Sequence, residues 1–317
     1  MTLVGQRTEL LSRDRAFRGY LYLFIAVTLW GGSASLAKIL IATRFDTLVI
    51  AQTRSTLSFV LLAGFLALRK PGVFIVRPRD LVPLAGVGVI GIAVTNYSYY
   101  YTVKEATVAT AILVQYTAPL WVTIYAVMIR REESFDGMKL LSLVLALGGC
   151  YLAVSGGSPS TVQLRGWSSL TAAASAFGFS YMLIGTKRLL RKYSVWTMLL
   201  YAFGFASLFW MFINPPWALA AKHYSISDWA ILLLFAVLSI LIPHSLYTAS
   251  LSMLEATTVG IASTLEPVIA ILVAYLWLGE GLSGVQIGGG CAVVAAVLLL
   301  QEPHLRMLRQ RMRDDGD

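Results

Sequence analysis

Apolar residues run along this chain in stretches of about 20, each long enough to cross the hydrocarbon core of a bilayer as a helix. Ten such spans can be drawn, at 20–42, 47–68, 80–102, 107–129, 136–155, 166–186, 195–214, 227–250, 256–278 and 281–301. Breakers punctuate the connections: Lys70-Pro71-Gly72, Gly156-Gly157-Ser158-Pro159, Pro215-Pro216 and Gly279 to Gly281. Asp80 and Asp228 stand where N-caps belong, at the starts of the third and eighth spans. The first span contains Trp30 and Lys38 and follows a polar segment with Arg7, Arg13, Arg15 and Arg18. A signal peptide would show a short apolar core and a small-residue cleavage site, so this span is predicted to be a retained helix.

The order of the spans repeats. At an offset of 148, Asp80 matches Asp228, Tyr99 matches Tyr247, Pro119 matches Pro267 and Glu132 matches Glu280. At an offset of 147, Gly31 matches Gly178 and Ser33 matches Ser180. A unit with an odd number of spans, written twice, sits in the membrane in two opposite orientations. The pattern predicts an all-α integral membrane protein whose ten transmembrane helices form two inverted five-helix repeats. Its expected parts are a cytoplasmic N-terminal tail (1–19), a first repeat (20–155), a periplasmic linker (156–165), a second repeat (166–301) and a basic cytoplasmic C-terminal tail (302–317).

Composition strengthens the membrane reading. The chain is 57% hydrophobic and 13% charged, against about 25% charged for a soluble domain. Its net charge of +9 does not point to nucleic acid, because the basic residues sit between apolar spans rather than along one stripe. With the N-terminus in the cytoplasm, nineteen Lys and Arg fall inside and only Arg44, Lys104, Arg165 and Lys222 fall outside. The positive-inside rule then places both termini in the cytoplasm. Cys150 and Cys291 are too few for a disulfide framework or a metal site and read as small buried fillers. No metal and no cofactor are expected.

Four ionisable residues remain within the spans: Lys38, Arg54, His244 and Glu266. Each should face the bundle interior, a partner or a water-filled cavity. Glu266 lies near the midplane of the ninth span, directly before Pro267. Proline removes one backbone hydrogen bond and bends the helix, which is tolerated at this depth only beside protein or water. A desolvated carboxyl there would couple transport to protons or meet a substrate amine; a structural carboxyl bonded to a neighbouring helix is the alternative. Its repeat counterpart is Ala118. His244 pairs by repeat with Asn96, and both lie one turn from the matched tyrosines Tyr99 and Tyr247. These four would line a shared cavity, although a lone buried histidine more often just satisfies a local hydrogen bond. Arg54, about two turns into the second span, would hold an anionic substrate group or, more simply, pair with another helix. Lys38 would snorkel to the outer surface.

Other signals carry no chemistry. Gly86-Val87-Gly88-Val89-Ile90-Gly91 spells the dinucleotide fingerprint, but that motif works only after a strand at the mouth of a helix; inside a span its glycines serve close packing. Gly284 and Gly288 read the same way, toward an internal contact or a homodimer. Trp167, Trp196, Trp217 and Trp229 fall near span ends as interfacial anchors. Glu132 and Glu280 would cap the next helix or link loops. Zinc-protease, nucleophile-elbow and paired-carboxylate patterns are missing, which argues against an enzyme.

Leu29-Trp30-Gly31-Gly32 with Lys38, Arg54, Pro119 to Glu132 and Leu265-Glu266-Pro267 through Gly279-Glu280 resemble the drug/metabolite transporter superfamily, in its EamA-like branch of bacterial inner-membrane permeases. The resemblance covers about residues 18 to 302. It implies a central cavity between the halves and, as in most characterised members, export of amino acids or related metabolites. Span-level analogy makes Trp30, Ser33, Asn96, Tyr99, Gln115, Ser180, His244, Tyr247, Ser263 and Glu266 the candidate cavity residues. The expected function is secondary export of a small polar metabolite by alternating access. Glu266 would carry the coupling proton, Pro119 and Pro267 would supply the bends, and the bilayer and the substrate would be the partners. An efflux pump for lipophilic cationic drugs and a passive facilitator are the alternatives.

Overall fold

The computed structural model describes residues 3–134, 136–162, 164, 166–278 and 281–314, with side chains for most positions between 14 and 300. Arg165, Gly279 and Glu280 lie outside the described residues, as do the side chains of Arg7, Arg13 and the basic C-terminal arginines. Every regular element among the described residues is helical. The long helices are α1 (Leu3–Thr43), α2 (Thr47–Arg69), α3 (Pro78–Glu105), α4 (Val108–Ile129), α5 (Gly137–Ser155), α6 (Trp167–Leu189), α7 (Val195–Ile213) and α8 (Ile226–Met253). They continue with α9, built from Ala256–Ala262 and Leu265–Leu278, and α10 (Gly284–Asp314).

Eight of these are long and apolar enough to cross a membrane. The two exceptions among the ten expected spans have physical reasons. Helix α6 is long enough but carries Ser175, Ser180 and Thr186 on buried positions, where hydroxyls return hydrogen bonds to their own helix, as Ser180 does to Ala176 O at 2.8 Å. The apolar part of α10 is the shorter Gly284–Leu300. Both terminal tails, expected as separate segments, instead continue α1 and α10. Residues 3–19 contain no proline, and their Leu, Glu, Arg and Gln are helix formers.

Two ion pairs reveal the inversion. Asp80, at the start of α3, accepts hydrogen bonds from Lys192 Nζ at 2.8 Å and Tyr193 OH at 2.7 Å, both from the α6–α7 connection. Its counterpart Asp228 accepts from Arg44, in the α1–α2 connection. The 23 residues of α2, about 34 Å of helix, separate Arg44 from Asp80. The matched aspartates therefore mark opposite ends of the bundle. Neither is a simple N-cap as expected. Asp80 makes no capping bond; Asp228 is the third helical residue, closing a capping box whose N-cap is Ser225.

The repeats also share irregularities. π-Helical turns occupy Val87–Val94 in α3 and Val237–Leu241 in α8, at corresponding places. Both α4 and α9 are broken. In α4 the first segment ends at Gln115 and the second starts at Ala118, with Pro119 in its first turn. In α9 the break falls at Ser263-Thr264, and Pro267 is the third residue of the second segment. The prolines thus start new helical segments, where a missing N–H costs little, rather than kinking a continuous helix.

Helices in lipid gain little from apolar burial and associate by close packing, so small residues sit where backbones meet. A Cβ on Gly31 would lie 2.8 Å from Glu266 O, and one on its partner Gly178 would lie 2.8 Å from Ile90 O. Gly88 meets Ala202 O and Gly91 meets Met182, so the fingerprint glycines are packing positions. In α10 the close approach belongs to Gly289 against Gly149 and Ala153 of α5, while Gly284 and Gly288 face open space. Cys150 is buried as expected, but Cys291 is exposed, because Gly289 turns the neighbouring face toward α5.

Candidate functional site

The breaks in α4 and α9 face each other across a small central cavity of about 60 Å³. Seven of the ten candidate residues line it: Trp30, Ser33, Asn96, Tyr99, Gln115, His244 and Glu266. The other three stand behind its wall. Ser180 donates to Ala176 O at 2.8 Å. Ser263 donates to Val259 O at 2.6 Å, and its hydroxyl shares a hydrogen bond of 3.2 Å with Tyr247 OH. Tyr247, 1% exposed, packs its ring 4.9 Å from Trp30 and 6.2 Å from Phe179. The predicted repeat partners Gln115 and Ser263 are thus separated: only the first reaches the cavity.

Glu266 is in place because the α9 break delivers it. After Ser263 the backbone tightens, with Glu266 N donating to Ser263 O at 3.0 Å, and the new helical segment starts at Leu265 with the carboxyl on its inward face. There Glu266 accepts a hydrogen bond from Tyr116 OH, which comes from the break in α4. The sequence offers no signal for Tyr116 beyond its place beside Gln115, since the pair is 150 positions apart.

Arg54 bonds neighbouring helices, one of its two expected roles, and it also reaches the cavity, from whose candidate set span-level analogy leaves it out. It lines the same cavity, buried to 3% exposure. Its guanidinium donates to Asn96 Oδ1 at 3.2 Å, to Tyr100 OH and to Ser239 O at 2.6 Å. The rings of Tyr100 and Phe235 flank it at 5.1 and 5.2 Å, a favourable setting for a cation on aromatic faces. Its Nε has no partner, and neither has Gln115 Oε1. His244 takes an aromatic position, 4.9 Å from Trp30 in an edge-on arrangement and 5.9 Å from Phe203. Asn96 and His244, although matched by repeat, therefore differ in role: one bonds the arginine and the other packs against rings. Lys38 is outside this site and lines a larger cavity of about 500 Å³, which shares Ala34 with the central one and runs to Ala42 and Thr43.

The two ends of the bundle are tied differently. At the end holding the α4–α5 and α8–α9 connections, Glu133 caps the start of α9, accepting from Ala256 N at 2.8 Å and Thr257 N at 3.2 Å. Glu132 links loops by pairing with Arg191 at 2.9 Å and Arg130 at 3.0 Å. Partial desolvation works against the Glu132 carboxylate, but the Arg130 hydrogen bond and the charges of Arg191, Arg130 and Arg188 outweigh it and hold the group below its ordinary value. Lys139 pairs with Glu255 at 2.6 Å, Lys187 donates to Leu251 O at 2.8 Å, and Arg15 donates to Ser252 O at 2.7 Å. The opposite end holds Arg44 with Asp228, Lys222 with Asp46, and Gln52 with Asn214 in reciprocal bonds of 2.6 and 2.7 Å.

Known proteins share this architecture. A crystal structure superposes with a TM-score of 0.72 at 17% identity, covering 91% of this chain and 98% of that one, which establishes likeness of fold. The chain is 29% identical over 297 residues to the threonine/homoserine exporter RhtA of Salmonella typhimurium, covering 91% of this chain and 94% of that protein. It is 23% identical over 298 residues to the inner membrane transporter YicL of the same organism, covering 92% and 98%. The family model of EamA-like transporters matches twice, at residues 17–155 and 166–301. With both repeats matched and a polar cavity between two broken helices, this multi-pass membrane protein belongs to the EamA-like transporter family.

Proposed function

We propose that this protein exports small amino acids or closely related polar metabolites by alternating access, driven by inward proton movement. The observation that carries the reading is a buried carboxyl, Glu266, placed at a helix break and facing a cavity that also holds a buried cation. Helix breaks beside a cavity are where transporters bind substrates and coupling ions, and a lone intramembrane acid is a functional site by default. The relatives named as threonine/homoserine exporters support the substrate class.

In this cycle a substrate ammonium and a proton compete for Glu266. Facing the cytoplasm, the ionised carboxylate takes the ammonium. Facing outward, protonation of Glu266 removes that attraction and the substrate leaves. Return of the protonated carrier brings one proton inward. Tyr116 OH holds the carboxyl in position in both states. The halves would rock about the breaks at Pro119 and Pro267, with the Glu132–Arg191 and Lys139–Glu255 pairs opening as the Arg44–Asp228 end closes. The excess of Lys and Arg on the former end supports its placement in the cytoplasm, with both termini, in a bacterial-type inner membrane.

Proteoliposomes loaded with a labelled amino-acid panel test this. Transport of one class that depends on an imposed proton gradient is expected, and Glu266→Gln should fold and insert while losing the gradient dependence. Coupling that survives in Glu266→Gln removes the carboxyl from the mechanism. Failure to move any amino acid, in folded and inserted protein, would overturn the substrate class in favour of lipophilic cations, which the aromatic lining of Trp30, Tyr99 and Phe179 favours.

A further inference from the structure

We propose that Arg54 is the carboxylate-binding residue of the central site, so that the transported molecule must carry a free carboxylate beside its ammonium group. This rests on the amino-acid reading above and narrows it to zwitterions with an unblocked acid.

Arg54 is a full positive charge in the middle of a membrane protein, and arginine does not escape burial by losing its proton. Among the described residues, no carboxylate lies within 4 Å of it. Its hydrogen bonds go to neutral acceptors, namely Asn96, Tyr100 and the Ser239 carbonyl. A buried charge without a counter-charge is costly, and Glu266 acts on it only through space. Were Arg54 purely structural, an acidic partner on a neighbouring helix would be expected, as Asp228 provides for Arg44.

Counting protons sharpens the point. A guanidinium has five N–H donors, and three are used: two on Nη1 and one on Nη2. One Nη2–H and the buried Nε–H are left. Two N–H groups on adjacent nitrogens match the two oxygens of a carboxylate. Two other lining groups have an unpartnered buried atom, His244 Nδ1 and the acceptor Gln115 Oε1, the latter one residue from the tyrosine that holds Glu266. Leftover donors stand on the Arg54 wall and leftover acceptor capacity on the Glu266 wall. A zwitterion answers both: its carboxylate meets Arg54, and its ammonium meets Glu266 and Gln115. A lipophilic cation would leave Arg54 unpaired and repelled, and a simple anion would face Glu266.

The test is competition in proteoliposome counterflow. The best-transported amino acid of the panel is set against its methyl ester, its primary amide and its decarboxylated amine, in wild type, Arg54→Gln and Arg54→Lys. A site built to hydrogen-bond a group rejects analogues lacking it strongly, so the three blocked analogues should compete about 100-fold more weakly than the parent in wild type. Arg54→Gln should bring the parent down to the level of its ester, and Arg54→Lys should restore part of the difference as a point charge without the fork. An ester or amine that competes as well as the parent in wild type overturns the role of Arg54 while leaving amino-acid export standing. If no amino acid of the panel is transported, the export reading itself falls. The wild-type arm decides even if the Arg54 variants fail to fold.

Discussion

At the break in α4 the chain reads Gln115-Tyr116-Thr117-Ala118-Pro119, and 148 positions later, at the break in α9, it reads Ser263-Thr264-Leu265-Glu266-Pro267. The proline and the interruption of the helix are common to both. The polar side chains are not: the acid occurs only in the second copy and the tyrosine only in the first, and the two meet in one hydrogen bond. The second copy also hides its counterpart of Gln115, since Ser263 bonds to Tyr247 and to its own helix instead of the cavity. The repeats therefore share a symmetric helix break, which carries the carboxyl on one side and its holder on the other. A symmetric pair of buried carboxyls would have repelled each other in a low-dielectric site.

The comparison can be broken most severely at Glu266. Glu266→Gln is expected to reduce gradient-driven transport about 100-fold, as loss of a charge-assisted interaction of about 3 kcal/mol implies. The matched Ala118→Ser should leave coupling within about twofold, a change under 0.5 kcal/mol. Flux with and without a pH gradient checks both. Next come the symmetric packing glycines. Gly31→Val and Gly178→Val should each destabilise the folded protein by about 1–3 kcal/mol, because their first added carbon already meets backbone oxygen at 2.8 Å. Gly32→Ala, with nothing within 4 Å, should be neutral to about 0.5 kcal/mol. Denaturation midpoints in detergent distinguish the three, and equal losses at Gly31 and Gly178 would show that the matched packing contacts are energetically symmetric.

A smaller effect is expected at the holder. Tyr116→Phe removes one hydrogen bond to Glu266 and should slow coupled transport about tenfold, corresponding to about 1.4 kcal/mol. Thr264→Val at the matched position should change it little, since the Thr264 hydroxyl serves only the Ile261 carbonyl. The smallest effect lies at the loop end, where Glu132 links Arg130 and Arg191. Its carboxyl is held below its ordinary value in the folded protein, so its contribution is complete above the unfolded value and disappears as pH falls through the folded one. Glu132→Gln should therefore cost less than about 1 kcal/mol near neutrality. Its thermal midpoint should converge on wild type as pH falls below the ordinary carboxylate range.

Much of this molecule is legible without coordinates. Span hydropathy, the matched Asp80 and Asp228 and the paired prolines depend on local composition and on repetition, and they located the helices and the break at Glu266. Seven of the ten positions chosen by span analogy reach the cavity. Ser180, Tyr247 and Ser263 do not, because which face of a helix turns inward depends on how its neighbours press on it. The π-turns in α3 and α8, which rotate every later residue of those helices, leave no mark in the hydrophobic period.

What the sequence by itself determined is therefore the placement of the hydrophobic segments, their duplication in opposite orientations, and the cost of an acid and an arginine within apolar spans. Those follow from the bilayer, which demands helices of a given length and penalises each buried charge wherever it stands. Only the tertiary structure decided what those charges face. It brought Tyr116 to Glu266 across 150 positions and gave Arg54 neutral partners with two N–H groups to spare. It also tied Asp80 and Asp228 to basic residues at opposite ends. Such pairings depend on distances between helices, and no local pattern encodes them.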